Sequence, residues 1–235
     1  VHEYGHELGL PDLYDPSFQS QGIGDWGVMA GGSFGGPGNN GTVPTGFCGW
    51  SRVFLGWEEP ELVSSSTHTL LHHALGGRIL KIFAESSSKA SEYFLIENRF
   101  NKTLSNSAFN WDQYLPLDGS GDSTGILITH VDEGIAFLDY SLDPDTNRWD
   151  GNELQINSSH KFLDVEETSL SQGLDVAEGS SDSADTWHSG SSVSFGANLA
   201  EPYSENPNNL SITFSSSPGE SMNLTISQNF QVLAR

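Results

Sequence analysis

Residues 2–12 constrain the fold of this chain most strongly, because they combine a helical spacing of histidines with a forced turn. They read HEYGHELGLPD. On a helix, residues four apart lie one turn apart on the same face, so His2 and His6 can present two imidazole nitrogens to one metal ion. Gly9 fits the left-handed position that ends a helix, and the proline two residues later cannot extend it. The chain must therefore turn, which can carry Asp12 back toward the metal as a third ligand.

Glu3 gives this segment its predicted chemistry. Three protein ligands leave one position of a zinc ion open, as catalytic zinc sites require. Zinc lowers the pKa of a bound water toward about 7, and Glu3 is placed to accept its proton and pass it to a leaving amine. We therefore expect peptide-bond hydrolysis without a covalent acyl-enzyme. Asp15 replaces Asp12 as the third ligand if the turn differs, whereas a later glutamate is not favoured, because Glu58 is the first after residue 7 and lies near a proline.

Met29 is a second landmark. It is one of two methionines in the chain and lies in the glycine-rich run GDWGVMAGG at residues 24–32. In metzincin peptidases such a methionine turn forms a hydrophobic floor beneath the metal, whereas a methionine elsewhere is ordinary core filling. Because the turn follows the histidine pattern, the two together indicate a zinc peptidase site rather than a chance match.

Residues 2–15, which end in LPDLYD, resemble the active-site helix of the immune inhibitor A family of secreted bacterial metallopeptidases. This is a metzincin group whose third zinc ligand is thought to be aspartate. The resemblance implies a secreted zinc endopeptidase that cleaves extracellular proteins with the ligands and the base named above. One departure is Gly31, at a position where many metzincins carry a tyrosine that helps to stabilise the transition state. The resemblance continues at residues 22–36, 44–60, 93–99, 125–133, 161–167 and 182–187.

The same resemblance implies an α+β fold with a boundary near residue 188. We expect residues 1–188 to be the C-terminal part of a metzincin-like catalytic domain, and residues 189–235 to be a β-rich segment that either stands apart or belongs to the same domain. Val1 directly precedes the first histidine, and the strands of the upper half of such a domain do not occur in the chain. The sequence therefore predicts a fragment, which on its own should be a poor peptidase because one missing strand pairs with the substrate.

Local patterns predict one further helix and seven strands. Four aromatic residues recur at helical spacing within residues 45–57, which predicts a helix with an aromatic face used for core packing. Alternating runs at residues 210–214 and 222–226 predict a hairpin. The predicted strands are residues 69–73, 78–84, 93–97, 126–131, 161–165, 210–214 and 222–227.

Charge narrows the classes of partner. The chain has 235 residues, 9 Lys and Arg against 31 Asp and Glu, and a formal net charge of −22. Nucleic acid and anionic membranes would be repelled, so the expected partners are protein or peptide substrates, while an acidic surface suits calcium-containing or salty surroundings. Cys48, the only cysteine, forms no internal disulfide, and no run of 18 apolar residues predicts a membrane span. The sequence does not indicate an oligomeric state.

Calcium is the second cofactor that the sequence suggests. Asp143, Asp145, Asn147 and Asp150 offer oxygen ligands at close spacing in one loop, although Arg148 stands where an EF-hand requires glycine. A solvated acidic loop is the alternative. A second acidic concentration would also need a cation or solvent between its carboxylates. It consists of Asp164, Glu166 and Glu167, with Asp182 and Asp185 as further candidates.

His130 lies in an apolar strand beside acidic residues. A buried, hydrogen-bonded histidine is the favoured interpretation over a catalytic one.

The sequence also allows a second function, from a different class, for the chain as a whole. The alternative to the enzyme is a non-enzymatic, calcium-stabilised surface or adhesion module on a peptidase scaffold. The presence of both histidines and of Glu3 favours the enzyme, and stoichiometric zinc in the full-length protein would distinguish the two.

Overall fold

The described part of the chain contains two short helices and eight strands, which gives the α+β class that the sequence predicts. The structure is a computed structural model that describes residues 1–84, 91–117, 119, 121–139, 145–168, 172–191 and 210–228. The helices are α1 (His2–Glu7) and α2 (Gly49–Phe54). The strands are β1 (Glu61–Leu62), β2 (Ser66–Leu71), β3 (Leu80–Phe83), β4 (Glu92–Arg99), β5 (Gly125–Asp132), β6 (Leu163–Val165), β7 (Ser211–Phe214) and β8 (Ser221–Ser227). Short 3-10 helices lie between them, among them Gly24–Trp26, Gly173–Asp175 and Ser183–Asp185.

The strands form two sheets. The larger has five strands in the order β1-β3-β4-β5-β6, and the smaller has three in the order β2-β8-β7. β1 and β3 run parallel, whereas every other pairing is antiparallel. Because β2 pairs with β8, the segment 210–228 adds strands beside one from the first third of the chain. In the described parts of the chain, no helix is long and apolar enough to cross a membrane.

The larger sheet is covered on both faces, and its central strand shows why. All eight residues of β4 are buried. Successive side chains of a strand point to opposite faces. Tyr93 and Leu95 accordingly pack in one core with Trp26 and Met29, which places residues 1–58 on that face. The intervening residues of β4 pack in a second core with the smaller sheet. A strand buried on both faces contains a continuous apolar run rather than an alternating one, as residues 93–96 of β4 and 126–128 of β5 do.

The smaller sheet has one buried face and one face toward solvent. Met222, Leu224 and Ile226 of β8 are buried, whereas the residues between them are exposed. This alternation was the basis for the predicted hairpin, which is confirmed: β7 and β8 pair antiparallel, with Ile212 opposite Ile226. Each of the seven predicted strands overlaps an observed strand, whereas the two-residue β1 was not predicted.

The predicted helix at residues 45–57 is too long. The observed helix α2 covers Gly49–Phe54 only. Its predicted first turn is extended instead, because the Thr45 amide donates to Gly32 O (2.9 Å) and Gly46 O accepts from the Val28 amide (3.3 Å). These bonds tie residues 45–46 to the methionine-containing turn. The helix ends before Gly56, whose φ of +67° lies in the left-handed region.

Arg99 joins the larger sheet to that same turn. It is 2% exposed and makes a two-pronged ion pair with Asp112, at 2.7 and 2.6 Å. Its remaining terminal nitrogen, Nη1, donates to Trp26 O at 3.0 Å, and the guanidinium lies 5.3 Å from the Trp26 ring. A buried guanidinium with its donors satisfied and its charge paired is a stable link. The turn that carries Met29 is therefore fixed to the end of β4.

Candidate metal centre

Helix α1 presents its two histidines on one face. His2 and His6 are one turn apart, and their rings pack edge to face with centroids 4.8 Å apart. The helix ends at Glu7, and Gly9 follows with φ +93°, in the left-handed conformation predicted for it. The Leu10 amide then donates to Gly5 O at 3.0 Å. This bond turns the chain back along the helix, so that the next residues run toward the histidines.

Backbone carbonyls fix the orientation of both imidazoles. His2 Nδ1 lies 2.8 Å from Val28 O, and His6 Nδ1 lies 2.9 Å from Leu10 O. A carbonyl only accepts, so each Nδ1 carries the hydrogen and each Nε2 is left with a lone pair. This pattern of an anchored Nδ1–H and a free Nε2 is the usual arrangement for metal-binding histidines.

Asp12 brings an oxygen to the same point. Its Oδ1 lies 3.0 Å from His2 Nε2 and 3.3 Å from His6 Nε2, and the two Nε2 atoms are 3.2 Å apart. In a tetrahedral zinc site with bonds of about 2.0–2.1 Å, neighbouring ligand atoms are about 3.3 Å apart. Asp12 Oδ1 is also buried with no hydrogen-bond donor. Three acceptor atoms at this spacing, one of them orphaned, fit a zinc ion.

No second group of this kind is found elsewhere in the described residues. These three are the only group of three or more His, Cys, Asp or Glu ligand atoms that lie within 4.8 Å of one another there. Asp15, the alternative third ligand, serves its own turn instead. It is 1% exposed and accepts hydrogen bonds from the amides of Ser17, Gln19 and Ser20. Its carboxylate is therefore occupied by backbone donors.

Met29 lies directly against the helix. It is 1% exposed, and a Cβ added to Gly5 would come within 2.3 Å of its sulfur. Glycine between the two histidines is thus what allows the methionine to approach the helix this closely. Leu13 N donates to Met29 O at 2.9 Å, which aligns the segment that follows Asp12 with the turn. Gly31, where a tyrosine was noted as missing, could not carry a side chain without a shift of its neighbours, because a Cβ there would lie 2.8 Å from Asp25 Oδ1 and 3.2 Å from Gly24 O.

Glu3 points to an open cleft beside the histidines. The cleft has a volume of about 860 Å³ and is lined by Glu3, His2 and residues of the methionine turn. Its rim carries two exposed aromatic side chains, Phe18 (75% exposed) and Phe34 (63% exposed). The His6 side chain is 35% exposed and that of Asp12 only 12%. The cluster is therefore closed on the aspartate side and accessible from the histidine side.

Asn152 and Tyr14 contact the cluster and were not predicted from the sequence. Asn152 Nδ2 donates to Asp12 Oδ2 at 2.9 Å, which holds the carboxylate with its Oδ1 toward the histidines. The Tyr14 ring lies 6.3 Å from that of His2. Burial, then the charge of Asp12 and a hydrogen bond to it, raise the pKa of Tyr14. Asn152 has φ +57°, a conformation that asparagine tolerates, and this is the only local signal in its favour.

The loop predicted to bind calcium has a different visible role. Asp143 lies outside the described residues. Asn147 and Asp150 bind one another, since Asn147 Nδ2 donates to Asp150 Oδ2 (3.0 Å) and the Asp150 amide donates to Asn147 Oδ1 (2.9 Å). Asp145 is described, but it is not part of a cluster of three acidic or histidine ligands. Calcium binding by this loop stays a prediction. The loop continues to Asn152, whose side chain binds Asp12.

His130 is a buried structural residue, as predicted. It is 2% exposed, and its two ring nitrogens lie 3.0 Å from Glu92 Oε1 and 3.2 Å from Glu166 Oε1. Burial alone would lower the pKa of His130, but the hydrogen bonds and charges of both glutamates together raise it to about 9. The second acidic concentration predicted from the sequence is therefore partly neutralised by protein cations, His130 at Glu166 and Lys161 at Asp164.

Residues 1–58, which contain the cluster, the methionine turn and α2, match a known family model. It is that of immune inhibitor A peptidase M6, catalytic domain. The resemblance to immune inhibitor A peptidases is confirmed for this segment. The segment is thus similar to the catalytic domain of immune inhibitor A peptidases. The later segments noted for their resemblance, from residue 93 onward, lie outside the matched residues.

Two curated relatives match over the same region. The chain is 46% identical over 57 residues to the pre-pro-metalloprotease PrtV of Vibrio cholerae serotype O1. It is 47% identical over 57 residues to immune inhibitor A of Bacillus thuringiensis subsp. alesti. Each match covers 23% of this chain but only 6% of PrtV and 8% of immune inhibitor A. The chain thus matches only a small part of the length of these relatives.

Proposed function

We propose that the protein is a zinc-dependent endopeptidase, and that residues 1–188 are the C-terminal part of a metzincin-like catalytic domain followed by a β-rich segment at 189–235. The observation that carries the proposal is the convergence of His2 Nε2, His6 Nε2 and Asp12 Oδ1 within 3.0–3.3 Å of one another. The Met29 contact with Gly5 and the family match support it.

The chemistry divides between the metal and Glu3. A zinc ion held by the three ligands would supply the Lewis acidity that polarises a peptide carbonyl and acidifies a water molecule. Glu3 accepts the proton of that water as the water attacks the carbonyl carbon, and the same carboxyl then donates the proton to the leaving amine. The backbone carbonyls at Nδ1 keep both imidazoles oriented throughout, and Asn152 keeps Asp12 in place.

The cleft beside Glu3 is the proposed substrate site. Its exposed aromatic rim suits apolar side chains of an extended peptide, because burying such side chains against aromatic rings is favourable. We further propose extracellular protein substrates and secretion, in keeping with the acidic composition, whose net charge of −22 disfavours nucleic acid and anionic membranes. Because the chain matches so little of its relatives' length, the activity is proposed for the full-length protein.

Glu3→Gln in the full-length protein is the decisive test. The amide keeps the shape of the side chain but cannot accept a proton, so we expect zinc content to be unchanged and peptide hydrolysis to fall by about 10²–10⁴-fold. Glu7→Gln is the matched control, since Glu7 lies on the same helix and is exposed. It should retain both zinc and activity.

Two results would count against the proposal. A Glu3→Gln variant that keeps more than about a hundredth of the wild-type turnover would rule out the general-base role. A full-length protein that binds no zinc after purification with excess zinc would instead favour the adhesion or surface module on a peptidase scaffold.

A further inference from the structure

Glu167 and Asp185 are buried carboxylates on adjacent segments. They are 1% and 0% exposed. The segments are joined by the residues next to them, because the Thr168 amide donates to Ala184 O at 2.7 Å. Asp185 also contacts the turn that carries Met29, since Trp26 Nε1 donates to Asp185 Oδ2 at 2.7 Å. Two carboxyl groups are thus enclosed where the polypeptide excludes water.

One oxygen of this pair has no protein partner. Asp185 Oδ2 accepts hydrogen bonds from the Trp26 ring and from the Asp182 amide (3.0 Å), whereas Asp185 Oδ1 is buried without any donor. A buried carboxylate oxygen that accepts nothing is costly, and its place in a native structure calls for a ligand. This orphaned oxygen distinguishes the pair from an ordinary acidic cluster.

A carbonyl oxygen also lies near Glu167. Glu167 accepts one backbone hydrogen bond on each oxygen, from Gly173 N (2.7 Å) and Leu174 N (3.0 Å), so each oxygen keeps a second lone pair. The carbonyl of Ser180 is a neutral neighbour. Glu167 Oε1 and Ser180 O lie 3.3 and 3.4 Å from the point where a Cβ on Gly173 would be. Two carboxylates and a carbonyl are the ligand types that hard divalent cations select.

The nearby ammonium group forms its ion pairs with other carboxylates, and its charge only partly offsets the rise that burial causes in the pKa of Glu167. Lys161 is 0% exposed, and its Nζ lies 2.5 Å from both Asp164 Oδ1 and Asp175 Oδ1 and 3.3 Å from Gly22 O. An ammonium has three hydrogens, and these three acceptors use them. Among the described residues, no lysine, arginine or histidine forms an ion pair with Glu167 or Asp185.

We propose that Glu167, Asp185 and the Ser180 carbonyl hold a divalent cation, which by the chemistry of these ligands is calcium. The pair needs such compensation near neutral pH. Burial, then the charge of Glu167, raises the pKa of Asp185 to about 8, and burial raises that of Glu167 to about 7. Without a cation, these raised pKa values favour the uptake of a proton by one carboxyl. The cation would brace Trp26 and, through it, the methionine turn.

The test is calcium binding by the full-length, zinc-loaded protein and by its Asp185→Asn and Glu167→Gln variants. After dialysis in micromolar calcium, metal analysis should find one calcium fewer per molecule in either variant. With calcium at about 100-fold above its Kd, the wild-type melting midpoint should rise by about 5–10 °C, and each variant should lose that increment. Magnesium at equal ionic strength should not reproduce the increment, because it dehydrates reluctantly and demands octahedral geometry.

Two controls separate this site from general screening. Asp175→Asn removes a charge from the same region but leaves the pair intact, and Asp145→Ala alters the loop where the sequence alone predicts calcium. Both should keep the calcium that depends on Asp185. Equal calcium content in wild type and Asp185→Asn would overturn the proposal. So would a variant that is more stable than wild type at pH 7 in saturating calcium, since the carboxyls would then share a proton instead of a metal. If Asp185→Asn does not fold, Glu167→Gln and the wild-type calcium content decide.

Discussion

Two assemblies in this molecule contain histidine and carboxylate side chains but differ in how these groups are paired. At the cleft, His2, His6 and Asp12 bring three acceptor atoms together, and the acceptors have no donor between them. Inside the sheet, His130 lies between Glu92 and Glu166, and both ring nitrogens donate to a carboxylate. The first assembly fits a bound metal cation, whereas the second contains a protein cation, the His130 imidazolium.

The difference originates at one ring nitrogen. A backbone carbonyl at Nδ1 of His2 or His6 takes the hydrogen of a neutral imidazole and leaves Nε2 as a lone pair. Carboxylates at both nitrogens of His130 favour the doubly protonated, positive ring, which explains why the pKa of His130 is raised to about 9. Neighbours of the histidine, rather than histidine itself, decide between metal ligand and structural cation.

The largest expected effect is the loss of zinc from the cleft assembly. His6→Ala should lose the metal and with it peptide hydrolysis, while Asp12→Ala should bind zinc more weakly. Asp15→Ala should leave zinc content nearly unchanged, because the Asp15 carboxylate is engaged by backbone amides. Metal analysis of the three full-length variants checks this. If Asp15→Ala loses zinc and Asp12→Ala does not, the assignment of the third ligand is wrong.

The sheet assembly should respond in stability rather than in zinc content. His130→Ala leaves Glu92 and Glu166 buried without their cation, and breaking a buried ion pair in this way costs about 3–5 kcal/mol. Urea unfolding of the full-length protein measures the loss. His160→Ala is the matched control, since His160 pairs with Asp132 at a half-exposed position, where such a pair contributes about 0–1 kcal/mol. If folded His130→Ala loses zinc, the claim that His130 contributes to stability but not to zinc binding is wrong.

The sequence predicts the cleft assembly well because its parts are local. His2, His6 and Asp12 lie within one helix and one turn, and the positions of glycine and proline limit how that turn can run. Asn152 is 140 residues away from Asp12 in the chain, and no local pattern connects the two. Asn152 lies at the end of the loop for which the sequence predicts calcium binding because of the loop's acidic residues.

In the sheets, too, contacts between residues close in sequence were predictable, whereas contacts between distant residues were not. Alternation predicts β7 and β8 and their hairpin, because adjacent strands joined by a short turn pair with each other. The pairing of β2 with β8, which sets Ser66 opposite Ile226, depends on contacts distant in sequence. His130 shows the same limit, since its strand was predicted while its partners Glu92 and Glu166 come from two different strand segments.

The next largest expected effect is the pH dependence of the stability that His130 contributes. The pKa of His130 is raised from 6.5 to about 9 in the folded protein, so its contribution to stability is complete below pH 6.5 and is lost as pH rises through 9. The loss should amount to about 3 kcal/mol, since one pKa unit corresponds to about 1.4 kcal/mol. The quantity to measure is the unfolding free energy of wild type minus that of His130→Gln from pH 6 to 10.

Other charged groups near His130 could also contribute to the pH dependence of stability. Besides Glu92 and Glu166, Asp132 interacts with it electrostatically, and Asp164 faces Glu166. These carboxylates are present in both proteins, so the difference between the two curves reports the imidazole together with its effect on the pKa of its carboxylate partners. A difference that stays constant from pH 6 to 10 would mean that His130 does not carry the proton that the glutamates require.

The smallest expected effect concerns Asn152, the distant residue that supports the cleft assembly. Its amide donates to Asp12 Oδ2 and so holds Oδ1 toward the histidines, a role that a neighbour of a metal ligand plays without touching the metal. Asn152→Ala should therefore weaken zinc binding by about 10–100-fold, as is typical when such a partner is removed, while the protein still folds. Competition with a zinc chelator of known affinity measures the change. Asn147→Ala is the matched control, because Asn147 lies in the same loop and binds Asp150 rather than Asp12. Equal zinc affinities of the two variants would show that the loop has no part in orienting Asp12.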